Sequence, residues 1–98
     1  PEAQDDTASD YILPKSNTEK LTEADLAGLS KEQLRLARNE IYARNGMIFG
    51  IEDLDEYFKG KSWYTPKYSS DEFYDKVEMN VIEETNVAFI LQLEKSMN

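Results

Sequence analysis

Residues 30–46 read SKEQLRLARNEIYARNG, and this stretch decides the fold. Ser30 with Gln33 three positions on is a capping box, in which side-chain oxygens satisfy the free N–H groups of a first helical turn. Leu34, Ala37 and Ile41 recur at helical spacing, and Ala43 widens their apolar side. Gly46 stands where helices commonly end in a left-handed residue, a conformation that glycine adopts without steric cost. The stretch predicts a helix from Lys31 to about Asn45. Met47-Ile48-Phe49 then carry the apolar run past the reversal.

Upstream, Tyr11-Ile12-Leu13-Pro14 is too short for a helix, and Pro14 biases Leu13 toward extended backbone. These residues read as an arm laid on the domain. Residues 1–10, PEAQDDTASD, are small, acidic and unpatterned, and read as a disordered linker before a helical domain over 11–98. Thr22 with Asp25 opens a short turn over 23–28 that buries Leu26.

Downstream, residues 51–59 read as a short helix with Leu54, Tyr57 and Phe58 inward and Gly60 closing it. Residues 61–70 form an aromatic loop broken by Pro66. Ser69 with Glu72 caps a short turn through Phe73 and Tyr74. A last helix is predicted from about Glu78 to Lys95, with Met79, Ile82, Asn86, Phe89, Ile90, Leu93 and Met97 stepping by three and four. The expected fold class is all-α (mainly α). It is a small single-domain bundle with two longer helices (31–45 and 78–95) packed together, one or two short helices and an extended N-terminal arm around one compact core.

The 98 residues include 20 acidic and 11 basic side chains, a net charge of −9, with no histidine and no cysteine. Disulfides, thiolate metal sites, histidine ligands and a Ser-His-Asp triad are therefore excluded. A nucleic-acid partner is not expected from so acidic a chain. No metal or cofactor is expected either, and no glycine-rich phosphate loop is present. The longest apolar run, 87–91, is far below the ~20 residues of a membrane span, so no direct membrane insertion is expected. The chain opens on Pro1 without a leader pattern and reads as a segment of a longer protein, working as a monomer.

The charge is unevenly placed. Residues 30–46 hold two acidic and four basic side chains, including all three arginines, Arg35, Arg38 and Arg44; the flanks before and after carry −5 and −6. In one reading these arginines are structural, with Arg44 four residues after Glu40 in the favoured order for a pair. Arg38, Asn39, Glu40, Arg44 and Asn86 then form a polar network between helices. In the other reading, an arginine faces a groove and binds an anionic group of a partner.

Nine of the eleven aromatics lie between residues 42 and 74. Exposed tyrosine and tryptophan make good contact platforms. The candidate binding residues are Tyr64, Tyr68, Arg35 and Trp63, with Tyr64 and Tyr68 expected to be the more exposed. The alternative for Trp63 is a plug in the core. Asn86 falls on the apolar face of the last helix, where a bare amide costs about 1–3 kcal/mol, so it should bond a backbone group or the network. The carboxylates Glu52, Asp53, Asp55 and Glu56 read as a solvated face rather than a catalytic pair. The chain is therefore expected not to be an enzyme, although a carboxylate-dependent hydrolase stays a third reading.

The segment Leu34–Gly46, ending in Tyr42-Ala43-Arg44-Asn45-Gly46, resembles the signature of the YARHG domain family of bacteria. The resemblance extends to Asp10–Pro14, Leu21–Leu26, Tyr57-Phe58, Ser62–Tyr64 and Glu83–Val87. It implies an extracytoplasmic module of the cell envelope, of the kind found in lipoprotein-like or membrane-anchored proteins, without an assigned biochemical role. Asn45 stands where the motif has histidine, which removes any metal or proton-transfer role of that side chain. The expected function is a non-catalytic binding module for a protein, peptide or cell-wall glycan. The alternative is a structural spacer or capping domain of a larger surface protein.

Overall fold

The computed structural model describes residues 11–97; the linker expected over 1–10 lies outside them. A 3-10 turn, Pro14–Asn17, is followed by five helices: α1 Glu23–Leu26, α2 Lys31–Arg44, α3 Glu52–Lys59, α4 Ser70–Lys76 and α5 Val81–Ser96. Among the described residues there is no strand, and one isolated parallel bridge joins Met47 to Tyr68. No described helix is long and apolar enough to cross a membrane.

Each start is set locally. Thr22/Asp25, Ser30/Gln33 and Asn80/Glu83 form capping boxes at α1, α2 and α5, and the Ser69 side chain caps α4. Asn80 explains why α5 opens three residues later than its apolar spacing predicts. Its side chain accepts from Glu83 N while Glu83 accepts from Asn80 N. Helix α2 ends in a Schellman closure: Met47 N donates to Tyr42 O, Gly46 N donates to Ala43 O, and Gly46 takes φ +95°. Helix α3 stops at Gly60 with φ −78°, so that glycine needs no left-handed conformation.

Two apolar clusters flank α2 in place of the single core expected. Leu34, Ala37 and Ile41 meet Ile90 of α5, together with Leu13 and Leu26. Ala43 joins Met47, Phe49, Leu54, Phe58 and Phe73 on the other side. The reversal at Gly46 separates them, because residues 47–49 leave α2 toward α3 instead of continuing along α5.

The N-terminal arm is not simply extended; it enters the 3-10 turn at Pro14. Side chains from both long helices hold it. Glu40 accepts from Ile12 N and Leu13 N at 2.9 and 3.1 Å. Asn86, fully buried on α5, accepts from Leu21 N at 2.9 Å and donates to Ser16 O and Glu19 O at 2.8 and 2.9 Å. Replacing Asn86 by alanine strands three backbone groups of residues 16–21. The expected loss is about 2 kcal/mol, or about 10 °C in melting temperature, read by thermal denaturation. An unchanged melting temperature would contradict this anchoring.

Candidate functional site

The polar residues of α2 fan out to different neighbours. Arg35 donates to Asp53 of α3 through both terminal nitrogens, at 2.8 and 3.2 Å, and to Glu32 at 3.1 Å. The Asp53 contact lifts the Arg35 pKa further and holds the Asp53 carboxyl below its usual value. Arg38 reaches the opposite way, with Nε and Nη2 on the two oxygens of Glu94 at 2.5 and 3.2 Å. The Asn39 amide caps back onto Arg35 O. Arg35 and Arg38 are thus both two-pronged ties between helices, the geometry that suits a guanidinium fork.

Glu40 and Arg44 are not an ion pair among the described residues. Both oxygens of Glu40 serve the arm backbone. Burial pushes its pKa up, opposed by the Ile12 and Leu13 N–H groups and by the nearby charge of Arg44. Arg44 instead lies over the Tyr11 ring, 4.0 Å from its centroid, and donates to Pro14 O at 3.1 Å. Asn45, at the motif's histidine position, donates to Ile41 O and to Glu83 Oε2 at 2.9 and 3.0 Å. It joins the end of α2 to the start of α5.

The aromatic loop folds inward. Trp63 packs tilted against Tyr11, with ring centroids 4.9 Å apart, and meets Phe58 edge-on; its Nε1–H is buried without an acceptor among the described residues. Tyr64 packs on Phe49 and Phe58 and donates its hydroxyl to Met47 O at 2.6 Å. Burial raises the Tyr64 pKa. Tyr68 is half-buried, its backbone bridged to residues 46–48. Neither Tyr64 nor Tyr68 is an open platform, because the second cluster needs their rings. The exposed tyrosine is Tyr74, 68% accessible. The sequence hid this, since α4 is too short for its faces to be told apart by period.

Two concavities flank these residues. A cleft of about 360 Å³ is lined by Arg44, Asn45, Gly46, Trp63, Thr65 and Lys67. It brings Arg44 and Trp63 together, while Arg35 is tied to α3 and does not line it. No carboxylate lines the cleft, although Glu83 bonds Asn45. A second groove, of about 600 Å³, is lined by Tyr42 and Tyr74 together with α4 and the start of α5. Burial raises the Tyr42 pKa, with Tyr74 adding to it. Among the described residues no group of three or more histidine, cysteine or acidic side chains could hold a metal ion.

The model of the YARHG domain matches residues 9–95, nearly the whole chain, and the chain belongs to that family. No curated protein and no solved structure matches it.

Two outcomes follow from this geometry. Arg38→Lys keeps the charge and loses the fork, leaving buried Glu94 half-satisfied; the expected cost is about 1–2 kcal/mol in denaturant unfolding. The raised pKa of Glu40 means the folded state holds its proton more tightly than the unfolded chain does. This residue's contribution to stability is therefore full below the ordinary glutamate value and is lost as pH rises through the raised one. As pH rises through and above the ordinary glutamate value, the stability margin of the wild type over Glu40→Gln should narrow. A widening margin would refute the assignment.

Proposed function

We propose that this YARHG domain is a non-catalytic binding module of a bacterial cell-envelope or secreted protein, working outside the cytoplasm. It takes an anionic group of its partner, a protein, peptide or cell-wall glycan, in the cleft beside Arg44. One observation carries this reading: the motif's own Arg44, Asn45 and Gly46 line a cleft with Lys67 and no carboxylate, in a chain of net charge −9. Two cations facing an otherwise acidic surface create a local site of opposite sign, which steers and orients an anionic partner. The family supports the location, and the absence of a membrane-crossing helix among the described residues is compatible with it.

The non-catalytic part rests on where the carboxylates are. Asp75, Glu78 and Glu84 line the tyrosine groove but are exposed. A carboxyl working as general acid needs burial to raise its pKa. Glu40, Glu83 and Glu94 are buried, and their oxygens are taken by protein donors.

A second reading, a structural spacer, is favoured by the internal bonding of the motif: Arg38, Asn39, Glu40, Arg44 and Asn45 all bond within the domain. Titration of the labelled domain with tetraglutamate and with solubilised cell-wall fragments separates the two. Binding should shift the amides of Gly46, Thr65 and Lys67, and Lys67→Gln should weaken it about threefold to fivefold. Absence of saturable shifts at these amides favours the spacer.

A further inference from the structure

We propose that the groove lined by Tyr42 and Tyr74 is a second binding site, which takes the cationic side chain, lysine or arginine, of a peptide segment. It is distinct from the cleft at Arg44 and opposite in sign.

Tyr74 is 68% exposed, yet it sits in α4 directly after Phe73, one of the most deeply buried rings of the second cluster. Phe73 anchors the helix, and the next position projects a large ring over the groove. Tyr42 meets Tyr74 edge-on, with centroids 6.4 Å apart, and meets Phe73 in the same way at 5.7 Å. The groove that both rings line is about 600 Å³, within the range that holds a side chain and its flanking backbone.

The lining has the chemistry of a cation site. Val77, Met79 and Val87 supply an apolar floor, and Asp75, Glu78 and Glu84 supply three carboxylates. None of the three is in an ion pair among the described residues, whose bridges are Arg35 with Glu32 and Asp53, Arg38 with Glu94, and Lys59 with Asp55. Lys76 is the one basic residue in the lining. An aliphatic stem laid on the floor would bring its charged head to the tyrosine faces and the carboxylates together. Cation–π attraction and unpaired carboxylates then act on the same group. An amino sugar fits less well, since it has no aliphatic stem to cover the apolar floor.

The test is an amide-resolved titration of the full chain with tetralysine, its ε-acetylated form, tetraglutamate and glucosamine. Tetralysine should give saturable shifts at Tyr74, Val77, Glu78 and Glu84, and the acetylated peptide should not. Tyr74→Ala and Glu84→Gln, both at exposed positions, should each raise the dissociation constant about threefold or more. Lys76→Gln removes the one basic residue of the lining and should lower it. Equal shifts from the acetylated peptide, tighter binding of glucosamine than of tetralysine, or weaker binding by Lys76→Gln would overturn the proposal. Tetraglutamate reads the Arg44 cleft through other amides, so either site can fail without the other.

Discussion

At Gly46 the backbone takes φ +95°, and a Cβ there would stand 3.4 Å from both the Lys67 Cβ and the Thr65 carbonyl oxygen. Two constraints thus meet at one residue, a left-handed conformation and a close approach of another segment. The reversal ends α2 and turns residues 47–49 toward α3. It also leaves the Gly46 carbonyl free to accept from Lys67 N and Tyr68 N at 2.9 and 3.0 Å. Those bonds fix the aromatic loop against α2, which brings Lys67 and Trp63 to the end of the family motif. The two apolar clusters and the cleft all follow from this one turn.

The second organising theme is buried polar groups. Glu40, Glu83, Asn86 and Glu94 lie on the facing sides of the long helices, where unpaired carboxylates or amides would be costly. Each is bonded. Glu40 and Asn86 hold backbone N–H and C=O groups of residues 12–21, which have little regular structure of their own to satisfy them. Glu83 joins the cap of α5 to Asn45, and Glu94 receives Arg38. The segment before α1 is thereby tied down by side-chain bonds as much as by apolar contact.

The surface carries charge of both signs in different places. Beside Arg44 and Lys67 lies a cationic cleft; beside Tyr42 and Tyr74 lies an aromatic groove edged by carboxylates. Both open next to residues of the Tyr42–Gly46 motif. The motif is therefore structural and surface-forming at once: Ala43 is buried in the second cluster, Gly46 turns the chain, and Tyr42 and Arg44 border the two concavities.

Much of this architecture was legible in local signals. The capping box at Ser30, the apolar spacing of Leu34, Ala37 and Ile41, and the glycine at 46 depend only on neighbours within a few residues, and they define α2. The uneven charge of residues 30–46 likewise points to a cationic patch. The identity of long-range partners was not legible. The spacing places Asn86 and Ile90 on the inner face of α5 and calls for a partner for the Asn86 amide, and both are fully buried there; Glu83 and Glu94 join that stripe without any sign in the spacing. A hydrophobic period cannot name partners that lie between 38 and 70 positions away. The arginines show the same division. Their fork chemistry belongs to the residue type and could be anticipated, but the partner of each depends on which helix the fold sets beside it. Local chemistry determined where the helices begin and end; only the tertiary structure decided which polar atoms they hold, and which tyrosine stays in solvent.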